Sequence, residues 1–214
     1  MELVKEILLE PRWDEEELAR IKTSTINGIK RNAANPNVVA GQVYDKLLYG
    51  EDHIFSYPTS GTVESVEAIT MQDLKDFYAN NFSPSVTRMH VVGKISKDAT
   101  LETLEGIEEG WAAKEVTIPV YPIANTRDKA SLYFVDIPNA KQSVINIGYI
   151  ALPRTDADFY PAEVMNYKLG GSFSGNEKLI LREEKGYTYG ARSGLSSSKI
   201  PGAFTASSSV RTNT

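Results

Sequence analysis

The chain has 214 residues, 41% of them hydrophobic and 24% charged, with a net charge of −5 at pH 7. This is the composition of a globular protein with enough chain for one large or two small domains. Its basic residues are scattered, which argues against nucleic acid or an anionic membrane as partner; no apolar run approaches membrane-spanning length, and the absence of Cys excludes disulfides and thiolate metal sites.

In chain order, Asp14 to Arg31 reads as a helix, with Asp14 as N-cap, Glu17 three residues on in a capping-box pattern, and Leu18, Ile21, Thr25 and Ile29 at helical spacing. Asn35-Pro36 opens a second helix whose inner face is Val39, Val43 and Leu47 and which Gly50 closes. Residues Glu51 to Thr62 form a loop, and Val63 to Ile69 a short helical turn. Thr70 caps a further helix, with Asp73 three on and Leu74, Phe77 and Tyr78 expected inward; Pro84 stops it. A strand is expected from Val86 to Val92 and a weaker helix from Lys97 to Glu109. Pro119 and Pro122 mark Glu115 to Arg127 as an extended linker. Two strands, Ala130 to Ile137 and Ser143 to Leu152, follow around the turn Pro138-Asn139-Ala140, and then a helix from Asp158 to Leu169.

The stretch from Leu169 to Gly194, LGGSFSGNEKLILREEKGYTYGARSG, organises the rest. A Gly-rich turn leads into a helix from Asn176, its expected N-cap, to Lys185, and Gly186 ends that helix as a C′ glycine. Tyr187 to Arg192 then reads as a strand that sends Tyr187 and Tyr189 one way and Thr188 the other. A last strand, Gly202 to Arg211, pairs with it across the loop at Ser196 to Pro201. Arg182 in the last helical turn and Tyr189 just past the break are close enough to converge on one ligand. The element order fits an α+β fold, a mixed or antiparallel sheet with helices packed on one face. The start in a helix, and a close at Thr212-Asn213-Thr214 that suits the cap of another helix, suggest a fragment.

Several chemistries can be weighed on the residues. The glycines at 170 and 175 have phosphate-loop separation, but Asn176-Glu177 stands where Lys-Ser/Thr is needed, and the glycines follow a helix; a tight helix–helix connection is the better reading. The two histidines, His53 and His90, lie far apart and lack partners at metal spacing, so no metal is expected to bind this chain. The carboxylate runs Glu15-Glu16-Glu17 and Glu183-Glu184 read as solvated helix faces. Two readings of Arg182 and Tyr189 stand. Arg182 pairs with a neighbour such as Glu183 while Tyr189 fills core, or the guanidinium fork holds a carbonyl or carboxylate while the phenol donates to an oxygen that gains charge during reaction.

The same stretch resembles the signature of the pitrilysin/insulinase-type zinc peptidases, which include the mitochondrial processing peptidases: a Leu-Gly-Gly turn, then Leu-Arg-Glu, then Gly-x-x-Tyr. Tyr49-Gly50-Glu51-Asp52-His53, Gly61-Thr62-x-Glu64-Ser65-Val66, Ile69-Thr70-x-x-Asp73-Leu74-x-x-Phe77-Tyr78, Asn81-Phe82-Ser83-Pro84 and Val91-Val92-Gly93 are similar to the family too, as is the strand at Gln142. The resemblance covers nearly the whole chain. It implies duplicated α+β domains forming two halves that close around a peptide, one half carrying the inverted zinc motif His-x-x-Glu-His and the other supplying an Arg and, seven residues later, a Tyr. Arg182 and Tyr189 match that spacing and would anchor the substrate backbone and stabilise the tetrahedral oxyanion.

No His-x-x-Glu-His is present, Ile21 to Gly28 contains no carboxylate, and Asn176-Glu177 replaces an Arg-Leu common among relatives. By this resemblance the chain is the metal-free half of a zinc endopeptidase, inactive alone, with residues 1–83 the helical end of a preceding domain and 84–214 most of the next. Zinc is expected in the partner half and none in this chain; the expected partners are a peptide substrate and the metal-bearing half of the same or another chain. A non-catalytic core or scaffold subunit of the same fold, as in respiratory complexes, is the alternative. A third reading makes the edge strand Gly202 to Arg211 a platform for peptide strand addition.

Overall fold

The computed structural model describes residues 2–108, 110–122, 124, 129–196 and 198–211. Its helices are α1 (Glu2–Leu9), α2 (Glu15–Asn32), α3 (Pro36–Tyr49), α4 (Val63–Ala68), α5 (Met71–Asn81), α6 (Lys97–Glu108), α7 (Phe159–Asn166) and the single turn α8 (Asn176–Lys178), and its strands are β1 (Gln142–Ile150), β2 (Thr188–Leu195) and β3 (Ala203–Arg211). The chain divides into two compact units, Met1–Ile26 with Glu64–Val120, and Asn27–Val63 with Tyr121–Thr214.

In the first unit the caps act as the residues dictate. Asp14 accepts from the N–H groups of Glu16 and Glu17 at 2.9 and 3.0 Å. The Glu17 side chain does not complete the expected box: Arg20 takes both its oxygens, at 2.6 and 2.7 Å. Thr70 and Asp73 do form a reciprocal box at the start of α5. Tyr78 lies half-buried and donates to the Leu8 carbonyl at 2.5 Å, while its ring meets Trp13 edge-on. Leu74 and Phe77, expected inward, are exposed, Phe77 by 66%. The interior contact of α5 is made instead by Met71 at its start and by Tyr78 with Phe82, whose rings stack at 5.1 Å. Ser83, 1% exposed, ties the end of this segment to residue 114, accepting from the Lys114 N–H at 3.0 Å and reaching its carbonyl at 2.9 Å. The expected strand from Val86 to Val92 is not formed. A short turn, Pro84–Val86, is followed by irregular chain with Val92 98% exposed, because strand propensity becomes a strand only where a neighbour completes the ladder. Helix α1 lies outside the helices expected from sequence, although Leu3, Val4, Ile7 and Leu8 carry its spacing.

The second unit holds the sheet, in the order β1-β3-β2 with both pairings antiparallel. Helix α3 begins with Asn35 accepting from the Asn37 N–H and ends at Gly50 with φ +84°. It packs on β1: the Tyr44 hydroxyl meets Thr205 Oγ1 at 3.1 Å, close above Gly148, where an added Cβ would overlap both that hydroxyl and the Phe204 carbonyl. Residues Ala130 to Ile137 were expected as a strand but form no ladder; Leu132 and Phe134 are 80% and 88% exposed. The turn after them does form, with Asn139 at φ +64° and the Ala140 N–H bonded to the Ile137 carbonyl. In the expected linker, residues 115–122 and 124 are irregular, while 123 and 125–127 lie outside the described residues, as do Glu109 and the suggested cap Thr212-Asn213-Thr214. The expected pairing of the strands after residue 187 is formed, but Ala203–Arg211 is not an edge: it is bonded on both sides, so the free edges among the described strands are those of β1 and β2. Strand addition at Gly202 to Arg211 is thereby excluded.

Candidate functional site

Everything from residue 159 to 195 turns on how two helical segments are fastened to β2. Helix α7 passes into a π-helical turn, Tyr167–Gly171. Asn166, buried, donates to the Ser193 carbonyl at 2.9 Å and accepts from the Ser193 hydroxyl at 2.7 Å, clamping this helix to the strand. The Gly-rich turn is as tight as its composition requires. A Cβ on Gly170 would overlap the Glu177 carboxylate and the Ser193 hydroxyl, and one on Gly175 would stand 2.9 Å from the Leu169 carbonyl. The Glu177 carboxylate therefore fills the space a phosphate would need, in agreement with the helix–helix connection read from sequence.

The N-cap of the next helix is Gly175 rather than Asn176, which is already helical; Gly175 takes the extended conformation because the chain there is crowded against Gly170. After α8 the backbone widens into a second π-helical turn, Leu179–Glu184, sealed by the Lys185 N–H bonding the Ile180 carbonyl at 3.0 Å. Gly186 takes φ +65° and donates to the Arg182 carbonyl at 3.1 Å, while the Tyr187 N–H reaches the Leu181 carbonyl. The left-handed glycine reverses the chain, and the backbone of Arg182 is pinned at the corner.

On the strand side a β-bulge follows at once. The register with β3 moves from Thr188↔Val210 to Ala191↔Ser208, so Tyr189 and Gly190 oppose a single residue. Thr188, buried, holds the bulge: its hydroxyl lies 2.7 Å from the Ser209 carbonyl and accepts from the Gly190 N–H at 3.1 Å. Such a bulge re-aims a side chain. Here it turns Tyr189 out of the sheet, 82% exposed, under the Arg182 guanidinium, whose central carbon lies 4.4 Å from the ring centroid. Arg182 Nε also meets Glu183 Oε1 at 3.2 Å, with the Arg side chain 28% exposed. Both halves of the sequence reading thus meet in one geometry: Arg182 does pair with Glu183, but Tyr189 does not fill core. The terminal nitrogens of Arg182 and the hydroxyl of Tyr189 carry no hydrogen bond among the described residues, leaving a donor fork and a phenol side by side on the surface.

Lys178, one turn before Arg182, places its ammonium 2.9 Å from the centroid of the exposed Phe173 ring. Its pKa is pushed below the usual lysine value, chiefly by lost hydration and further by the nearby Arg182 charge, with Glu183 acting the other way. Neither this pair, the bulge nor the Asn166–Ser193 clamp was foreseen from sequence; Gly190 within a strand pattern was the available signal for the bulge.

The chain's histidines do not suit a metal. His53, 3% exposed, uses Nδ1 to accept from the Phe55 N–H at 3.1 Å and stacks on Tyr49 at 5.0 Å; His90 lies exposed in irregular chain. Among the described residues no group of three or more His, Cys, Asp or Glu could hold a metal ion, and no helix is long and apolar enough to cross a membrane.

Residues 68–214 match the family model described as the peptidase M16 inactive domain. The chain belongs to that family. A relative named as an uncharacterized zinc protease, YmxG of Bacillus subtilis, is 24% identical over 96% of this chain and 49% of its own length. A Helicobacter pylori relative, named as a non-peptidase homolog, is 23% identical over 90% of this chain and 44% of its own. Among solved structures, the peptidase M16 inactive domain from Pseudomonas fluorescens superposes with a TM-score of 0.89 at 25% identity, covering 98% of this chain and 50% of that one. Pitrilysin shares the fold, with a TM-score of 0.64 at 15% identity over 98% of this chain and 23% of its own. The M16 chain thus spans about half the length of the curated relatives it matches, and it is the inactive half-domain of proteins related to zinc proteases.

Proposed function

We propose that this M16 half contributes substrate binding and oxyanion stabilisation to a zinc-dependent endopeptidase whose metal-bearing half lies on another segment or chain. The observation that carries this reading is the Arg182–Tyr189 pair: a guanidinium held over a phenol by a glycine reversal and a bulge, with its outward donors unused. No group among the described residues fits a zinc centre, and on this reading the metal and its chemistry belong to the other half. What this chain supplies is two kinds of donor. The Arg182 fork holds a backbone carbonyl of an extended peptide, and the Tyr189 hydroxyl donates to the carbonyl oxygen that gains negative charge as the peptide bond is attacked. On the same reading residues 1–83 belong to one domain of a duplicated pair and 84–214 to the next, a division that does not coincide with the two compact units.

The test is Tyr189→Phe in the complete protein. Loss of one oxyanion donor lowers turnover by about 100- to 1000-fold, while an exposed ring that keeps its place under Arg182 leaves the melting temperature unchanged. An unchanged rate would remove Tyr189 from catalysis. The name of the Helicobacter pylori relative favours a second reading, a scaffold subunit that keeps the fold without proteolysis. A His-x-x-Glu-His segment in the remainder of the protein or its partner decides for the enzyme, and its absence decides for the scaffold.

A further inference from the structure

The cation–aromatic motif of the proposed site is repeated one turn earlier. Lys178 on Phe173 and Arg182 on Tyr189 are two cations, each seated on an exposed ring, four residues apart on one continuous helical stretch. Residues four apart on a helical stretch are neighbours on its surface, so a peptide whose carbonyl is held at Arg182 brings the side chains next to that carbonyl past Lys178.

The charges around Lys178 set what that side chain must be. Its ammonium has no ion pair or hydrogen bond among the described residues. The nearest acid in sequence, Glu177, is turned toward Gly170, and Glu183, whose charge also acts on Lys178, is engaged with Arg182 Nε. Two like charges on adjacent turns repel one another, and an anion placed beside them relieves that repulsion.

Resting on the substrate-binding reading above, we propose that Lys178, held on Phe173, is a specificity-determining residue that receives an Asp or Glu side chain close to the backbone carbonyl gripped by Arg182. The carboxylate binds the ammonium on its open side, and the ring beneath fixes the lysine stem.

The experiment measures fluorescence anisotropy and cleavage with the complete protein and a set of labelled extended peptides. The set carries Asp or Asn at each position within three residues to either side of a common central residue. Wild type, Lys178→Met, Lys178→Arg and Arg182→Ala are compared. The wild type should bind the Asp peptide about 2- to 5-fold more tightly than its Asn counterpart at one of these positions, the range for an exposed ion pair, with the ratio shrinking as salt is raised. Lys178→Met should bring the ratio to one by weakening the Asp peptide alone, and Lys178→Arg should retain it. An Asp/Asn ratio that is the same in wild type and Lys178→Met, or a Lys178→Met variant that weakens both peptides equally, overturns the proposal. Failure of the parent reading has a different signature, namely that Arg182→Ala leaves the binding of both peptides unchanged.

Discussion

Two aromatic clusters in the second unit are built from similar parts and end in opposite states. Around His53, the imidazole stacks on Tyr49 at 5.0 Å and meets Phe55 at 5.2 Å; it is 3% exposed, and its Nδ1 is satisfied by the Phe55 N–H. Around Tyr189, the ring carries a guanidinium on its face but is 82% exposed, and its hydroxyl is open. In the first cluster His53 Nδ1 is satisfied by the Phe55 N–H two residues on and the Tyr49 hydroxyl lies against the backbone of Ala203, so the imidazole is buried and works as a wedge that closes the end of α3. In the second, a bulge and a left-handed glycine hold the side chains with only Arg182 Nε engaged, by Glu183. An aromatic–cation pair whose terminal donors stay open while its backbone is fastened at several points is the arrangement expected of a binding site rather than a core.

That contrast can be broken from either side. The largest effect should come from Tyr189→Phe, already stated, which strikes activity and spares stability. On the structural side, Gly148→Ala forces a methyl into the Tyr44 hydroxyl and the Phe204 carbonyl, and should lower unfolding stability by about 3 kcal/mol in urea titration. His53→Ala should cost about 2 to 3 kcal/mol by the same measure through the lost stacking volume. If His53→Ala instead abolished activity at unchanged stability, the division between wedge and site would fall. The smallest effect concerns acid. Asp73 has its pKa held below the usual 3.8, first by the Thr70 hydroxyl and then by the Thr70 N–H. A depressed carboxyl pKa contributes stability that is present above 3.8 and lost as pH falls through the folded value. The capping of α5 should therefore weaken only in that acidic window, and Thr70→Ala should flatten this part of the stability–pH curve.

The legible part of the fold is the part encoded locally. Asn35-Pro36 and Gly50 bound α3, Thr70 and Asp73 cap α5, and Gly186 stops the turn after Arg182, because each acts through bonds to residues within a few positions. The β2–β3 pairing was legible for the same reason, being joined by a short loop. The two strands that failed, Val86 to Val92 and Ala130 to Ile137, have the composition of strands, yet whether a ladder forms depends on a neighbour that composition does not name. Leu74 and Phe77 sit at inward helical spacing but are exposed, since spacing marks a face and not what covers it. At the site, sequence placed Arg182 and Tyr189 near one another across the break. It gave no sign of the π-helical turn, which depends on how the helix is pulled toward Gly186, nor of Lys178 over Phe173, which is a meeting of rotamers.

The central position of β3 has a consequence for how this chain is made. Gln142 of β1 is bonded opposite Arg211, 69 positions further along (211 − 142), and β1 and β2 touch β3 rather than each other. During synthesis both therefore emerge before the strand that joins them. Until then β1 waits with Ile147 and Tyr149, which stay largely exposed even in the finished sheet, and with an unpaired row of amides. Long-range closure of this kind slows folding and lengthens the interval in which sticky strands are open to aggregation, so assembly of this sheet on the ribosome is the step at which a chaperone would matter most.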